Sequence, residues 1–148
     1  MPDITVDDPT GDAELLILGW GGSSFGPIGE ACRRARRRGI KVAQAHLRHL
    51  NPLPANLGEV LRKYPNVVVP EMNLGQLALL LRGTYLVDVQ SVTKVEGMAF
   101  LADELEGIID AALDGTLAEK KESDKAKFAR LAAATVSTGT DVGAGVNA

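Results

Sequence analysis

The sequence predicts a three-layer α/β/α domain, with helices covering both faces of a sheet built from parallel β-α-β units. Three observations predict it. Apolar runs of strand length alternate with helix-length segments whose apolar residues recur at i, i+3, i+4 and i+7. The strand runs are nearly continuous in apolar residues, the pattern of strands buried on both faces. Gly, Pro and Asn punctuate the boundaries between runs. The crossovers are expected to be right-handed, and the domain to span residues 12–115.

The elements follow in order. Residues 1–11 carry Asp3, Asp7, Asp8, Pro2 and Pro9 without a helical period, and read as an acidic linker arm. AELLILGW (13–20) is a compact apolar run before a glycine-rich turn, which suits a buried strand. In PIGEACRRARRRG, Pro27 fits the first turn of a helix and Gly39 its C′ position. Ile28, Ala31, Cys32 and Ala35 share one face of that helix. IKVAQAHL (40–47) is the second strand, ended by Asn51-Pro52-Leu53-Pro54. Leu57, Val60, Leu61 and Tyr64 stripe the next helix, and Pro65 closes it. NVVVPEM (66–72) is the third strand. Asn73 is the expected N-cap of LGQLALLLR, with Leu74, Leu77, Ala78 and Leu81 inward and Gly83 as its end. TYLVDVQ (84–90) is the expected fourth strand and SVTKVEGMAF a loop. The last core helix, 101–113, turns Leu101, Leu105, Ile108, Ile109 and Ala112 inward and stops at Gly115. Residues 116–134 are expected as a polar helix or extension. Residues 135–148 lack a core-forming pattern and are expected to be disordered.

Composition narrows the function. A chain of 148 residues suits one domain. A net charge of −3 argues against nucleic-acid binding, which needs a basic surface. An aromatic content of 4% argues against a stacking platform for single strands. One cysteine, Cys32, excludes an internal disulfide and an all-Cys metal site. No signal-peptide pattern is visible, and no apolar stretch approaches the roughly 18 residues of a membrane span. A cytoplasmic protein is the expectation.

The first strand runs into Gly19-Trp20-Gly21-Gly22-Ser23-Ser24, the place of a dinucleotide-binding turn. Ser24 stands where the third glycine of G-x-G-x-x-G belongs, and no acid closes the second strand to hold a ribose. Gly21 and Ser23 mark either an anion-binding helix start or a tight turn that needs glycine for backbone reasons alone. His46 and His49, three apart, face opposite sides of an extended strand and make a poor metal pair. Cys32 reads as a small buried hydrophobe. Arg33, Arg34, Arg36, Arg37 and Arg38 form a basic face, read as a solvated helix surface or as a docking patch for an acidic protein or phosphorylated ligand. Glu71, Asn73 and Gln76 cluster at a strand's carboxyl end, where open α/β sheets gather ligands. The plain alternative is that Asn73 caps its helix and Gln76 is exposed. No nucleophile, base and orienter form a complete set.

Taken together, LGWGGSSFGPIGEACRRARRRG, HLRHLNPLP, VVVPEMNLGQLALLLRG and YLVDVQSVTKVEGMAF resemble the C-terminal part of the α subunit of 2-oxoacid:ferredoxin oxidoreductases, most like the 2-oxoglutarate type. The boxes are Gly19-Trp20-Gly21-Gly22-Ser23, Asn51-Pro52-Leu53-Pro54, Glu71-Met72-Asn73-Leu74-Gly75-Gln76-Leu77 and Gly97-Met98-Ala99-Phe100. Ala99 stands where the family has proline, and Gly22 adds a residue to the first turn. The resemblance implies a transketolase C-terminal-domain-like fold, a mainly parallel sheet with an antiparallel edge strand. It implies a non-catalytic structural and assembly domain. Its parent complex oxidatively decarboxylates a 2-oxoacid to an acyl-CoA. No cofactor is expected in this chain. Thiamine diphosphate, Mg and an iron–sulfur cluster are expected elsewhere in that complex.

The implied partners are the thiamine-binding domains and β subunit, and ferredoxin through the complex. No nucleic-acid or membrane partner is expected; a homodimer through a bare apolar face is a further expectation. On this reading Glu71, Asn73, Gln76, Gly21 and Ser23 form a cleft wall or interface, no residue is catalytic, and the isolated chain is inactive. The alternatives are a stand-alone module binding a phosphate-bearing ligand such as CoA or a nucleotide, and a docking or remnant interaction protein.

Overall fold

A computed structural model describes residues 1–138. In chain order it holds β1 (Val6–Asp7), β2 (Leu15–Trp20), α1 (Gly22–Arg37), β3 (Val42–Leu47) and α2 (Leu57–Lys63). Then come β4 (Asn66–Glu71), α3 (Gln76–Tyr85), β5 (Val89–Thr93), α4 (Ala102–Asp114) and α5 (Leu117–Thr138). The sheet order is β1-β3-β2-β4-β5. β2 runs parallel to both β3 and β4, and β4 parallel to β5. β1 pairs antiparallel with β3.

The unbroken apolar run of β2 has a direct cause. Successive side chains of a strand face opposite ways, and each face of this sheet has its own core. Leu16 and Leu18 pack with Leu57 and Leu61 of α2 and Leu77 and Leu81 of α3. Leu15 and Ile17 pack with Ile28 and Cys32 of α1 and Ile108 and Ile109 of α4. A β2 residue of either parity therefore has to be apolar. Full burial of each such side chain is worth about 1.5–3 kcal/mol. The three-layer α/β/α architecture and the antiparallel edge strand are both observed.

Several boundaries differ from the sequence reading. α1 starts at Gly22, so Pro27 lies inside the helix rather than in its first turn. Pro27 cannot donate to the carbonyl four residues back, but the opening turn is held by the Ser24 hydroxyl, which donates to the Trp20 carbonyl at 2.7 Å. α3 passes through Gly83 and ends at Leu86, a non-glycine residue at φ 54°. Residues 84–85 are thus helical, and β5 is displaced into 89–93. Leu101 and Leu74 are exposed rather than inward. Both lie outside their helices, before the apolar periodicity starts to apply.

The segment expected as a linker arm docks on the domain. Ile4 is buried, and β1 adds the antiparallel edge. Asp7 accepts hydrogen bonds from Gln44 and Arg36, and the Tyr64 hydroxyl donates to Asp8 at 3.0 Å. The aspartates that read as linker composition are the docking contacts. At the other end α5 continues the polar helix to Thr138; residues 139–148 of the expected disordered tail lie outside the described residues. No described helix is long and apolar enough to cross a membrane.

Candidate functional site

The sheet has one topological switch point. The crossover from β2 leads to β3 on one side, and that from β4 leads to β5 on the other, while β2 and β4 are neighbours. Helices that depart in opposite directions leave a crevice at the carboxyl ends of such a strand pair. Here the strands also part. Their pairing runs from Leu15↔Asn66 to Ile17↔Val68 and stops. The Asn66 N–H donates to the Glu14 carbonyl at 3.1 Å, so the even-numbered residues of β4 direct their backbone groups at β2. The next donor after Val68 would be residue 70, which is proline and has no N–H. Pro70 thus ends the ladder and opens the crevice.

Glu71 closes one wall. It is only 2% exposed, yet carries a carboxylate. That carboxylate accepts the Leu77 N–H at 2.7 Å and the Ala78 N–H at 3.2 Å, and the Ser91 hydroxyl at 3.4 Å. It thereby satisfies free donors of α3 and sits at the positive end of the helix dipole. Asn73 Oδ1 accepts the N–H groups of Gly75 at 2.8 Å and Gln76 at 3.2 Å. Asn73 is not the N-cap expected of it: Gly75 holds that position and α3 begins at Gln76, while the Asn73 side chain closes the turn that leads in. Gly75 is required: it sits at φ +94°, and a Cβ there would meet Ser91 Oγ at 3.0 Å. Gln76 is exposed.

Gly21 and Ser23 form the other wall. Gly21 has φ 77° and precedes α1, which has no side-chain cap and no acid in its first turn. The Ser23 hydroxyl lies 3.5 Å from Met72 Sδ, so the loops after β2 and β4 meet across the crevice. Of the five residues expected at this site, Gly21 and Asn73 lie on the two turns, Glu71 ends β4, and Ser23 and Gln76 stand in the first turns of α1 and α3.

The sequence reading gave no role at this edge to several other residues. Trp20, Phe25, Met72, Leu74 and Met98 are exposed apolar side chains on the loops and first turn at this edge. His46 packs edge-on to Phe25, at 5.1 Å between ring centroids. Burial lowers the His46 pKa; a backbone hydrogen bond with Gly21 opposes this, and Arg48 adds to it. Lys94, which is buried, donates to the Ala99 carbonyl at 3.1 Å and to both Glu104 oxygens at 2.9 and 2.8 Å. It ties the loop after β5 to the start of α4. Only Phe25 and Met98 stand outside an assigned strand or helix stripe; Trp20 and Met72 read as strand residues and Leu74 as an inward helix residue. Lys94 gave no signal.

The arginines disperse. Arg33 and Arg34 pair with Glu30, and Arg34 also reaches Asp103 and Glu106 of α4. Arg38 pairs with Glu106 and Asp110 of α4. Arg36 donates to the Val42 carbonyl and to Asp7 of β1. Among the described residues only Arg37 of this group lacks an ion pair. The run that read as one basic face is a seam joining α1 to α4 and β1, and it does not converge on the crevice.

No described group of three or more His, Cys, Asp or Glu side chains is arranged to hold a metal. Cys32 is buried, and its thiol pKa is pushed up to about 12 by that burial. A single inert thiol does not fit the four thiolates of an iron–sulfur cluster. The crevice carries the Ser23 and Ser91 hydroxyls, the Asn73 and Gln76 carboxamides and an apolar rim.

Comparison with known proteins locates the domain. Residues 13–107 match the family described as pyruvate:ferredoxin oxidoreductase core domain II. The chain belongs to that family. This core domain II is 72% identical over 141 residues to the 2-oxoglutarate oxidoreductase subunit KorA of Mycobacterium tuberculosis, covering 95% of this chain and 21% of KorA. It is 34% identical over 110 residues to 2-oxoacid:ferredoxin oxidoreductase 1, subunit alpha, of Aeropyrum pernix, covering 70% of this chain and 17% of that subunit. The chain thus spans about a fifth of the length of these relatives. A solved 2-oxoglutarate:ferredoxin oxidoreductase from Magnetococcus marinus, with 2-oxoglutarate, coenzyme A and succinyl-CoA bound, superposes with a TM-score of 0.70 at 25% identity. That match covers 76% of this chain and 20% of the other. A split-gene transketolase, at TM-score 0.55 and 21% identity over 74% of this chain and 41% of its own, shares the fold.

Proposed function

We propose that this core domain II is a non-catalytic structural and assembly domain of a 2-oxoglutarate-type 2-oxoacid:ferredoxin oxidoreductase α subunit. Its carboxyl edge forms one wall of a cleft whose reacting groups belong to other domains. The observation that carries the reading is the use made of the polar residues at that edge. Glu71 and Asn73 direct their acceptor oxygens at backbone N–H groups of their own loop and helix. They hold the shape of the β4–α3 turn, and the Ser91 hydroxyl beside Glu71 donates to the same carboxylate. Thiamine diphosphate, Mg and the iron–sulfur cluster belong to the parent complex on this reading. The thiamine-binding domains and the β subunit are the partners, with ferredoxin reached through the complex.

The stand-alone reading, a module binding a phosphate-bearing ligand, is less well supported, because the arginines it relied on are paired within the fold. The test is a double substitution, Asn73→Ala with Gln76→Ala, in the assembled oxidoreductase complex. Turnover is expected to fall by more than the loss of thermal stability explains. Unchanged kinetics would reduce the pair to helix capping and remove the cleft-wall role.

A further inference from the structure

The family match ends at residue 107, so α5 lies outside core domain II. The KorA match nevertheless takes it in. That match covers 95% of the chain, and the residues left over are too few to leave α5 out at either end. Only the first turns of α5 rest on the domain. Leu117 is buried with Ile108 and Ile109 of α4, and Lys120 lies against Gly107 of α4. Burial, then Arg82 and Lys125, lower the Lys121 pKa against Asp88, which directly precedes β5. α5 is thus rooted at the amino ends of the strands, on the far side of the domain from the crevice. From Glu122 to Thr135 every residue is exposed. A helical stretch of that length without a buried face lacks the packing that stabilises most helices.

Its faces are nonetheless unlike. At 3.6 residues per turn, Phe128, Leu131 and Thr135 return to the face of Leu117, so the stripe that holds α5 to α4 runs on past the domain. Phe128 is 46% exposed and Leu131 59%. Lys125 and Lys127 stand about 80° to either side of this line. Neither has an ion partner among the described residues. The acids are elsewhere: Asp124 pairs with Lys120 at 3.3 Å, and Glu119 and Glu122 are on the opposite face. An apolar stripe with a lysine on each flank fits a groove with an apolar floor and carboxylates on both rims.

We infer that the outer part of α5 is a docking helix for a companion subunit of the oxidoreductase complex, laid in an acidic-rimmed apolar groove of that subunit. The inference rests on the assembly-domain reading and names one surface of that assembly and the chemistry of its partner. A second copy of the chain does not supply such a groove. Paired in parallel, two α5 helices set Asp124 against Asp124. Paired antiparallel with Phe128 on Leu131, they set Lys125 against Ala134 and Lys127 against Ala132, without a counter-charge.

Photocrosslinking in the assembled oxidoreductase complex tests this. A benzoyl photocrosslinker is placed on the ring at Phe128, and at Ala126 on the opposite face. From position 128 the expected product joins this chain to the companion subunit, at a peptide carrying Asp or Glu beside apolar residues; position 126 is expected to give none. Crosslinks from 128 only within the same subunit, only to a second copy, or absent altogether overturn the inference. Lys125→Glu with Lys127→Glu is expected to weaken subunit association at least about tenfold at low salt and less at high salt. Glu122→Lys, on the far face, is expected to leave it unchanged. Association that is indifferent to the lysine pair also overturns the inference. These side chains are exposed, so thermal unfolding of the chain is expected to be the same in all variants. Missing crosslinks with the Asn73 and Gln76 effect on turnover intact sink this inference alone. Dye reduction by the purified chain sinks the assembly reading.

Discussion

Glu71 shows how much one buried charge can organise. A carboxylate removed from water is costly unless hydrogen bonds replace its hydration, and here two N–H groups of α3 do so. Glu71→Ala leaves both donors buried without that acceptor and is expected to cost about 1–3 kcal/mol in unfolding free energy. Denaturant unfolding checks it, and a loss below about 0.5 kcal/mol, the range of an ordinary surface change, would contradict the role. Two single residues at this edge were only half legible in the sequence. Asn73 was readable as a residue that ties down the helix start, since Asn before an apolar period has that meaning, but the N-cap itself is Gly75, two residues on. Glu71 was readable as a strand-end carboxylate but not as a cap, since its donors lie six and seven residues on and meet it only through the β4–α3 turn. Pro70 was visible in the run NVVVPEM, but its effect on the β2–β4 ladder depends on a strand order that the sequence does not print.

At the scale of elements, the loop after β5 hangs on one ion pair. Burial pushes the Glu104 carboxyl up, but the Leu101 N–H and then the Lys94 ammonium outweigh it and hold its pKa below the ordinary 4.5. A carboxyl lowered in the folded state adds stability that is full above 4.5 and is lost as pH falls through its lower folded value. Glu104→Gln is therefore expected to flatten the acid side of the stability profile below that pH, read by thermal unfolding across a pH series. An unaltered acid slope would show that the pair contributes nothing. The element pattern was legible where periodicity reports burial: β2, β3, β4 and α4 lie close to their expected positions. It misled where a stop signal was overridden. Gly83 sits inside α3 because Leu77, Ala78 and Leu81 anchor the helix on the sheet, and the left-handed turn moves to Leu86. The arginine run was legible as charge, while its acidic partners on α4, Asp103, Glu106 and Asp110, are about seventy residues away and fixed only by packing.

At the scale of the whole molecule, the fold is a supporting layer with one specialised edge. Both faces of the sheet are filled by helices, the β1 edge is docked by its own aspartates, and one group of uncovered apolar residues, Trp20, Phe25, Met72, Leu74 and Met98, lies where β2, β4 and β5 end. The family was legible because its boxes fall on the turns that build that edge. The apolar rim was not, because single exposed hydrophobes carry no pattern in one dimension. The central claim, that this domain supports a reaction centre and owns none, is tested most directly by assaying the purified 148-residue chain for CoA-dependent oxidation of 2-oxoglutarate with a viologen dye as electron acceptor. With thiamine diphosphate and Mg supplied, no dye reduction above the protein-free rate is expected. Sustained, CoA-dependent reduction of the dye by the chain alone would contradict the account.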